Sequence, residues 1–252
     1  MPTDDESERG TPILARRRAA EGLGTAFLLA AIVGSGIMGE RLAGGNVAVA
    51  LLANTLATGA ALVALILTFG PVSGAHFNPA VTLAVACESG LAWTDVPAYL
   101  AGQIVGAFAG VGIADLMFDL PAFSPSQHAR HGPAQLLSEF VATFGLLTVI
   151  WATSRLRSAT TVPFAVGAYI TAAYWFTAST SFANPAVTVA RAASDTFAGI
   201  SPYDVPGFVV AQLLGAGGAT ALMAWLVPSL PRVARRVIAR GIERAPARGA
   251  RS

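Results

Sequence analysis

The stretch SFANPAVTVAR, residues 181–191, repeats a phrase that the chain has already used. Asn184-Pro185-Ala186-Val187-Thr188 matches Asn78-Pro79-Ala80-Val81-Thr82, which stands in HFNPAVTLA. Asn-Pro is polar and interrupts regular structure, yet both copies lie in apolar sequence. Asn is a strong helix N-cap, and Pro fits the first turn of a helix. Each copy therefore reads as a helix start that follows an extended segment. After the second break comes Val187, an uncharged residue.

The surroundings say where these breaks sit. Of the 252 residues, 54% are hydrophobic and 12% charged, about half the ~25% charge of a soluble domain. Apolar runs of about 20 residues, enough to cross ~30 Å of hydrocarbon, recur at about 18–38, 47–69, 97–118, 134–153, 161–179 and 206–227. The first is too long, and lacks the small-residue cleavage site, to be a signal peptide. The chain reads as an all-α membrane protein with six spans.

All 16 basic residues are Arg. Arg9, Arg16, Arg17 and Arg18 precede the first span, Arg155 and Arg157 lie between the fourth and fifth, and seven Arg follow the last. These flanks share one side of a six-span protein, and the positive-inside bias makes that side the cytoplasm, with both termini in it. Arg41 and Arg130 fall on the other side. Residues 1–17 read as a disordered cytoplasmic N-terminus and 228–252 as a basic cytoplasmic tail. The basic charge is a topology signal, not a nucleic-acid site. A single cysteine, Cys87, excludes a disulfide framework and a thiolate cluster and reads as a small packing residue.

The chain says more than NPA twice. Span one opens with Glu21 in AEGLGTAFLLA, and span four with Glu139 in SEFVATFGLLT. Span three carries Gln103 in YLAGQIVGAFAG, and span six Gln212 in FVVAQLLGAGGA. The order Glu, NPA, Gln thus recurs over 18–118 and 134–227, joined by an extracellular loop at 119–133. Three spans per half is odd, so the second half enters the membrane inverted. The NPA segments, at 70–89 and 180–195, are too short to cross. They read as re-entrant loops that return as half-helices, and irregular backbone at that depth lines a wet cavity.

Inversion brings Asn78 beside Asn184 at the midplane. There the two amides offer donors to a passing oxygen. The carbonyls of Gly74, Ala75 and His76, and of Thr180, Ser181 and Phe182, offer acceptors. Two helix N-termini place roughly half a positive charge each at the centre, which repels cations. Glu21 and Glu139 are intramembrane carboxylates, costly and functional by default. They read as acceptors for the backbone N–H groups of the re-entrant arms, with Gln103 and Gln212 as structural partners.

The six spans, the doubled order and SGAHFNPAVTLA resemble the aquaporin superfamily of water and glycerol channels over about residues 18–227. The resemblance implies a homotetramer of right-handed bundles, each with its own pore. Gly102, Gly106, Gly110, Gly215 and Gly218 permit the close helix approach such a bundle needs. It also implies an outer selectivity filter at four positions. Ungapped spacing from the two Asn assigns them to Thr58, Ala172, Ser181 and Val187. No aromatic, His or Arg stands at these positions, so the filter reads as wide, neutral and Arg-less. Arg191, four residues beyond Val187, reads as an outer-vestibule cation. The stretch GSGIMGERLAGGNVAVALLANTLATGAALV is similar to a subgroup found beside bacterial arsenic-resistance genes. That likeness implies a bacterial inner membrane and passage of arsenite as its neutral hydroxide, and of methylated arsenicals. A water and glycerol channel with no part in metalloids is the alternative.

Other classes fit less well. A secondary transporter would need an ion or proton site, and only the paired Glu and a poorly placed Asp115 offer one. An ion channel meets the dipole barrier at the NPA pair. No nucleophile–base pair, metal-ligand cluster or cofactor motif supports an enzyme. The expected partners are membrane lipid and small neutral solutes.

Overall fold

The structure, a computed structural model, describes residues 12–227. The expectations for residues 1–11 and for the basic tail at 228–252 lie outside the described residues. Among the described residues eight α-helices follow in order: α1 Leu14–Leu42, α2 Val47–Ser73, α3 Pro79–Cys87, α4 Val96–Met117, α5 Pro133–Leu156, α6 Val162–Phe176, α7 Pro185–Arg191 and α8 Val205–Leu226. Among the described residues there is no strand. α1, α2, α4, α5 and α8 are long and apolar enough to cross a membrane. α6, with 15 residues, spans about 22 Å.

Proline and asparagine set the helix starts. Every helix from α3 onward has Pro in its first turn, where its missing N–H costs nothing. Asn46 caps α2 by accepting from the Ala48 and Val49 N–H groups. α1 begins at Leu14, so residues 14–17 are helical and the expected disordered segment ends earlier. Arg17 explains the extension: it donates to Asp95 at 3.0 Å and to the Tyr99 hydroxyl at 2.9 Å, tying the first turn to α4.

α1 packs against α2 and α4, while α5 packs against α6 and α8, and α2 meets α6. The short helices α3 and α7 touch each other, and each also touches the last helix of the opposite half. Close approach explains the α1–α4 seam. A Cβ on Gly106 would overlap the Gly22 carbonyl oxygen, and one on Gly110 would overlap that of Ala26. A Cβ on Gly102 would lie 2.8 Å from the Arg18 carbonyl oxygen. Gly218 differs, since its nearest neighbour is the Phe144 ring at 3.5 Å. Replacing Gly106 by Leu is expected to lower the Tm of the detergent-solubilised protein by roughly 5–10 °C, from ~1–3 kcal/mol of overpacking. Gly217→Leu, where a Cβ meets nothing within 4 Å, should leave it nearly unchanged. Equal Tm losses in both variants would contradict this account of the seam.

Large apolar side chains cover the outside, among them Phe27, Leu56, Val105, Leu214 and Trp225, each more than half exposed. An outward apolar surface with buried polar groups within is the reverse of a soluble bundle and suits hydrocarbon. Cys87, expected to pack, lies exposed at the end of α3.

Candidate functional site

The two segments before α3 and α7 adopt backbone that ordinary residues avoid. Ala75 and Phe77 have φ of 50°, and Thr180, Ser181 and Ala183 have φ of 60°, 52° and 48°. Non-glycine residues in this region are uncommon, and each costs on the order of 1–3 kcal/mol unless its surroundings hold it there. The holder in each arm is a buried carboxylate. A left-handed residue between its neighbours turns successive N–H groups toward one side, which makes a nest for an anion.

Glu21 fills the first nest. Its Oε1 accepts from the His76 N–H at 2.9 Å and the Ser73 hydroxyl at 2.6 Å. Its Oε2 accepts from the Phe77 N–H at 2.7 Å and Gln103 Nε2 at 2.8 Å. Glu139 fills the second, accepting from the Phe182 and Ala183 N–H groups at 2.9 Å each and from Gln212 Nε2 at 2.6 Å. Gln103 and Gln212 each donate a second bond at 2.8 Å, to the hydroxyls of Thr82 and Thr188. These threonines end the two NPAVT phrases, so each Gln ties a carboxylate to its half-helix. All four Glu and Gln side chains are fully buried.

The arms are also bolted to each other. Asn78 Nδ2 donates to the Ala183 carbonyl at 2.8 Å, and Asn184 Nδ2 donates to the Phe77 carbonyl at 2.7 Å. Their Oδ1 atoms cap α3 and α7, accepting from the Ala80 N–H at 2.9 Å and from the Ala186 N–H at 3.0 Å. Pro79 and Pro185 occupy the first helical positions. An amide has two N–H bonds, so one on each Asn is committed to the opposite arm and one is left over.

Both Asn line a cavity of about 250 Å³ that runs between the halves. Its wall includes Gly74, Ala75, His76 and Phe77 of the first arm and Ser181, Phe182 and Ala183 of the second. Thr180, expected among the carbonyls facing the cavity, is absent from the wall. Phe77 and Ala183 stand there instead, and their carbonyls take the crossing Asn amides. The rest of the wall is mostly apolar, with Leu28, Leu62, Val81 and Ile150.

The cavity wall also includes Thr58, Tyr174, Ser181, Phe182, Val187 and Arg191. Three of the four residues expected at the filter therefore line the cavity, and the fourth does not. Ala172 is exposed on the outer face of α6 and does not reach the cavity. The cavity face of α6 is Val162, Val166, Ile170 and Tyr174, at four-residue spacing. Ala172 sits two residues, about 200°, away from that face. Counting back from Asn184 crosses the irregular segment 177–183, which does not fix the rotation of the helix before it. The cavity wall is also not free of aromatic and charged groups: Tyr174 adds a ring, its hydroxyl 3.3 Å from that of Thr58, and Arg191 adds a cation.

Arg191 is 2% exposed. Its Nε donates to the Ala198 carbonyl, and its guanidinium carbon lies 3.5 Å from the centre of the Phe182 ring. Arg130, from the loop between α4 and α5, approaches the same ring at 5.0 Å. Its guanidinium donates to the carbonyls of Gly199 at 2.8 Å, Ser179 at 3.3 Å and Phe197 at 3.4 Å. Burial pulls Arg130 down to about 10, which leaves it charged at neutral pH. Arg130 had a signal in the sequence. It is an Arg on the side that the positive-inside bias disfavours, and such a charge needs partners.

Comparison with known proteins agrees with this architecture. Residues 9–181 match the family described as major intrinsic protein. The chain is similar to aquaglyceroporin AqpS of Rhizobium meliloti (strain 1021), with 57% identity over 219 residues, covering 86% of this chain and 93% of that protein. It is also similar to aquaporin NIP2-2 of Zea mays, with 32% identity over 215 residues, covering 81% of this chain and 70% of the other. The X-ray structure of the aquaglyceroporin from Plasmodium falciparum superposes with a TM-score of 0.65, covering 84% of this chain and 95% of that one. At 22% identity that likeness is one of fold: six spans plus two half-helices.

Proposed function

The chain belongs to the major intrinsic protein family, and we propose that it is a passive channel for water and small to medium neutral solutes. It is a multi-pass membrane channel and not an enzyme. The observation that carries the solute reading is the crossed Asn pair. Each Asn lines the cavity with one N–H uncommitted, and each caps a half-helix whose N-terminus contributes positive potential there. A neutral oxygen-bearing solute meets donors and no counter-charge. A cation meets an electrostatic barrier.

The solute range covers water, glycerol-like polyols and arsenite, which at neutral pH is an uncharged, polyol-like hydroxide; methylated arsenicals belong to the same range. The similarity to an aquaglyceroporin supports the polyol part. Val187, a short uncharged side chain in the cavity wall, leaves room there for solutes larger than water. We place the protein in a bacterial inner membrane as a homotetramer with both termini cytoplasmic. The Arg-rich flanks support the orientation, the apolar outer surface supports the membrane placement, and the resemblance to the family supports the tetramer.

Vesicles containing the purified protein test the metalloid part. Arsenite uptake is expected to exceed that of protein-free vesicles about tenfold, alongside rapid water flow. Normal water flow with arsenite uptake at the protein-free level removes the metalloids and leaves a water and glycerol channel.

A further inference from the structure

The cavity wall contains two polar groups whose hydrogen-bonding capacity is not filled. Arg191 Nη1 and the Ser181 hydroxyl are buried without a partner among the described residues, and both residues line the cavity. A buried donor left unmet is costly unless something passing through meets it. The guanidinium cannot turn aside, because Nε is fixed on the Ala198 carbonyl and the plane rests against Phe182. Phe182 is fixed in turn by its N–H on Glu139, by the Phe208 ring edge-on at 5.3 Å and by Arg130. The carbonyls of residues 197–199 hold both guanidiniums. Tyr174, in the same cavity wall, is 2% exposed and joined to Thr58.

We propose that the specificity-determining residues of this channel are Arg191 and Tyr174, not the residues at positions 187 and 58. Arg191 supplies the fixed positive donor one helical turn beyond Val187, about 6 Å along the axis. Tyr174 supplies the aromatic wall from α6. Arg130 positions Phe182, and through it Arg191. The preferred solutes are neutral molecules with several hydroxyls on a short carbon chain. Their oxygens accept from Arg191 and their hydrocarbon edge lies against Tyr174. Cations are turned away at this level as well as at the Asn pair. The inference rests on the cavity being the conducting path.

The test is a polyol series of three to six carbons, with water and Na⁺, in proteoliposomes of equal protein content. Arg191→Ala and Tyr174→Ala each remove bulk from the cavity wall. Both are expected to raise six-carbon polyol permeability relative to water about tenfold. Tyr174→Phe keeps the ring and should keep the wild-type cut-off. Arg191→Met keeps most of the volume over Phe182 without the charge. It is expected to leave the cut-off unchanged and raise Na⁺ leak about tenfold, while Tyr174→Ala leaves Na⁺ leak at the wild-type level. If Arg191→Ala misfolds, Arg191→Met and Tyr174→Ala still separate charge from size. The inference is overturned if wild-type vesicles conduct glycerol and the Arg191 and Tyr174 variants match them in both cut-off and Na⁺ leak. Wild-type vesicles that conduct neither water nor glycerol would instead sink the channel reading beneath it.

Discussion

Replacing Val187 by Arg is expected to cut glycerol permeability about tenfold or more, while water flow stays within about a factor of two of wild type. Val187 is buried and lines the cavity beside Ser181, at the start of α7. An Arg there projects a long cation into the path one turn inside Arg191, facing Thr58 and Tyr174. It narrows the path for a solute with a carbon chain more than for a single water. It also brings a second guanidinium near the first, in a place with little water to screen them. Stopped-flow light scattering on proteoliposomes reads both permeabilities from one preparation. A variant that passes glycerol as fast as wild type would mean that position 187 does not face the conducting path.

A larger loss is expected from Glu139→Gln. The Glu139 carboxylate accepts three bonds, two of them from successive backbone N–H groups of the second arm. An amide in its place offers one acceptor oxygen and an unwanted NH2 group with two donors, so a buried N–H of the arm loses its partner. Breaking a buried charged network of this kind costs on the order of 3–5 kcal/mol. The left-handed residues Ser181 and Ala183 then lose what holds them. Water permeability per molecule should fall at least about tenfold, with a lower Tm. Conservation of both would mean that the carboxylate does not hold the arm. The same geometry weakens the transporter alternative, since the paired carboxylates are taken up by backbone and Gln donors rather than left open to an ion.

Helix positions were legible because apolar runs end at residues with a physical reason to end them. Asn46, Asn78 and Asn184 cap, and Pro opens each helix from α3 onward. The doubled order of Glu, NPA and Gln was legible in the same way, because a carboxylate buried at that depth needs donors nearby. The rotation of α6 was not. VPFAVGAYITAAYWF is apolar on every side, so nothing in it separates the face of Tyr174 from that of Ala172. Spacing along the chain stood in for orientation, and the irregular segment 177–183 broke the count. Arg130 stood out as a charge on the disfavoured side, but its partners did not. Its partners Ser179, Phe197 and Gly199 are 49–69 residues away, and no local pattern announces contacts of that range. The start of α1 at Leu14 likewise depends on a distant pair, Arg17 with Asp95 on the approach to α4.

The central claim is passive conduction of neutral solutes. Its most direct test is the flux of water, glycerol and Na⁺ across proteoliposomes that contain only this protein and no ion gradient. The expected result is water and glycerol permeability at least about tenfold above protein-free vesicles, with Na⁺ flux at the protein-free level. Glycerol flux that stays at the protein-free level, or that appears only when an ion gradient is imposed, would contradict it.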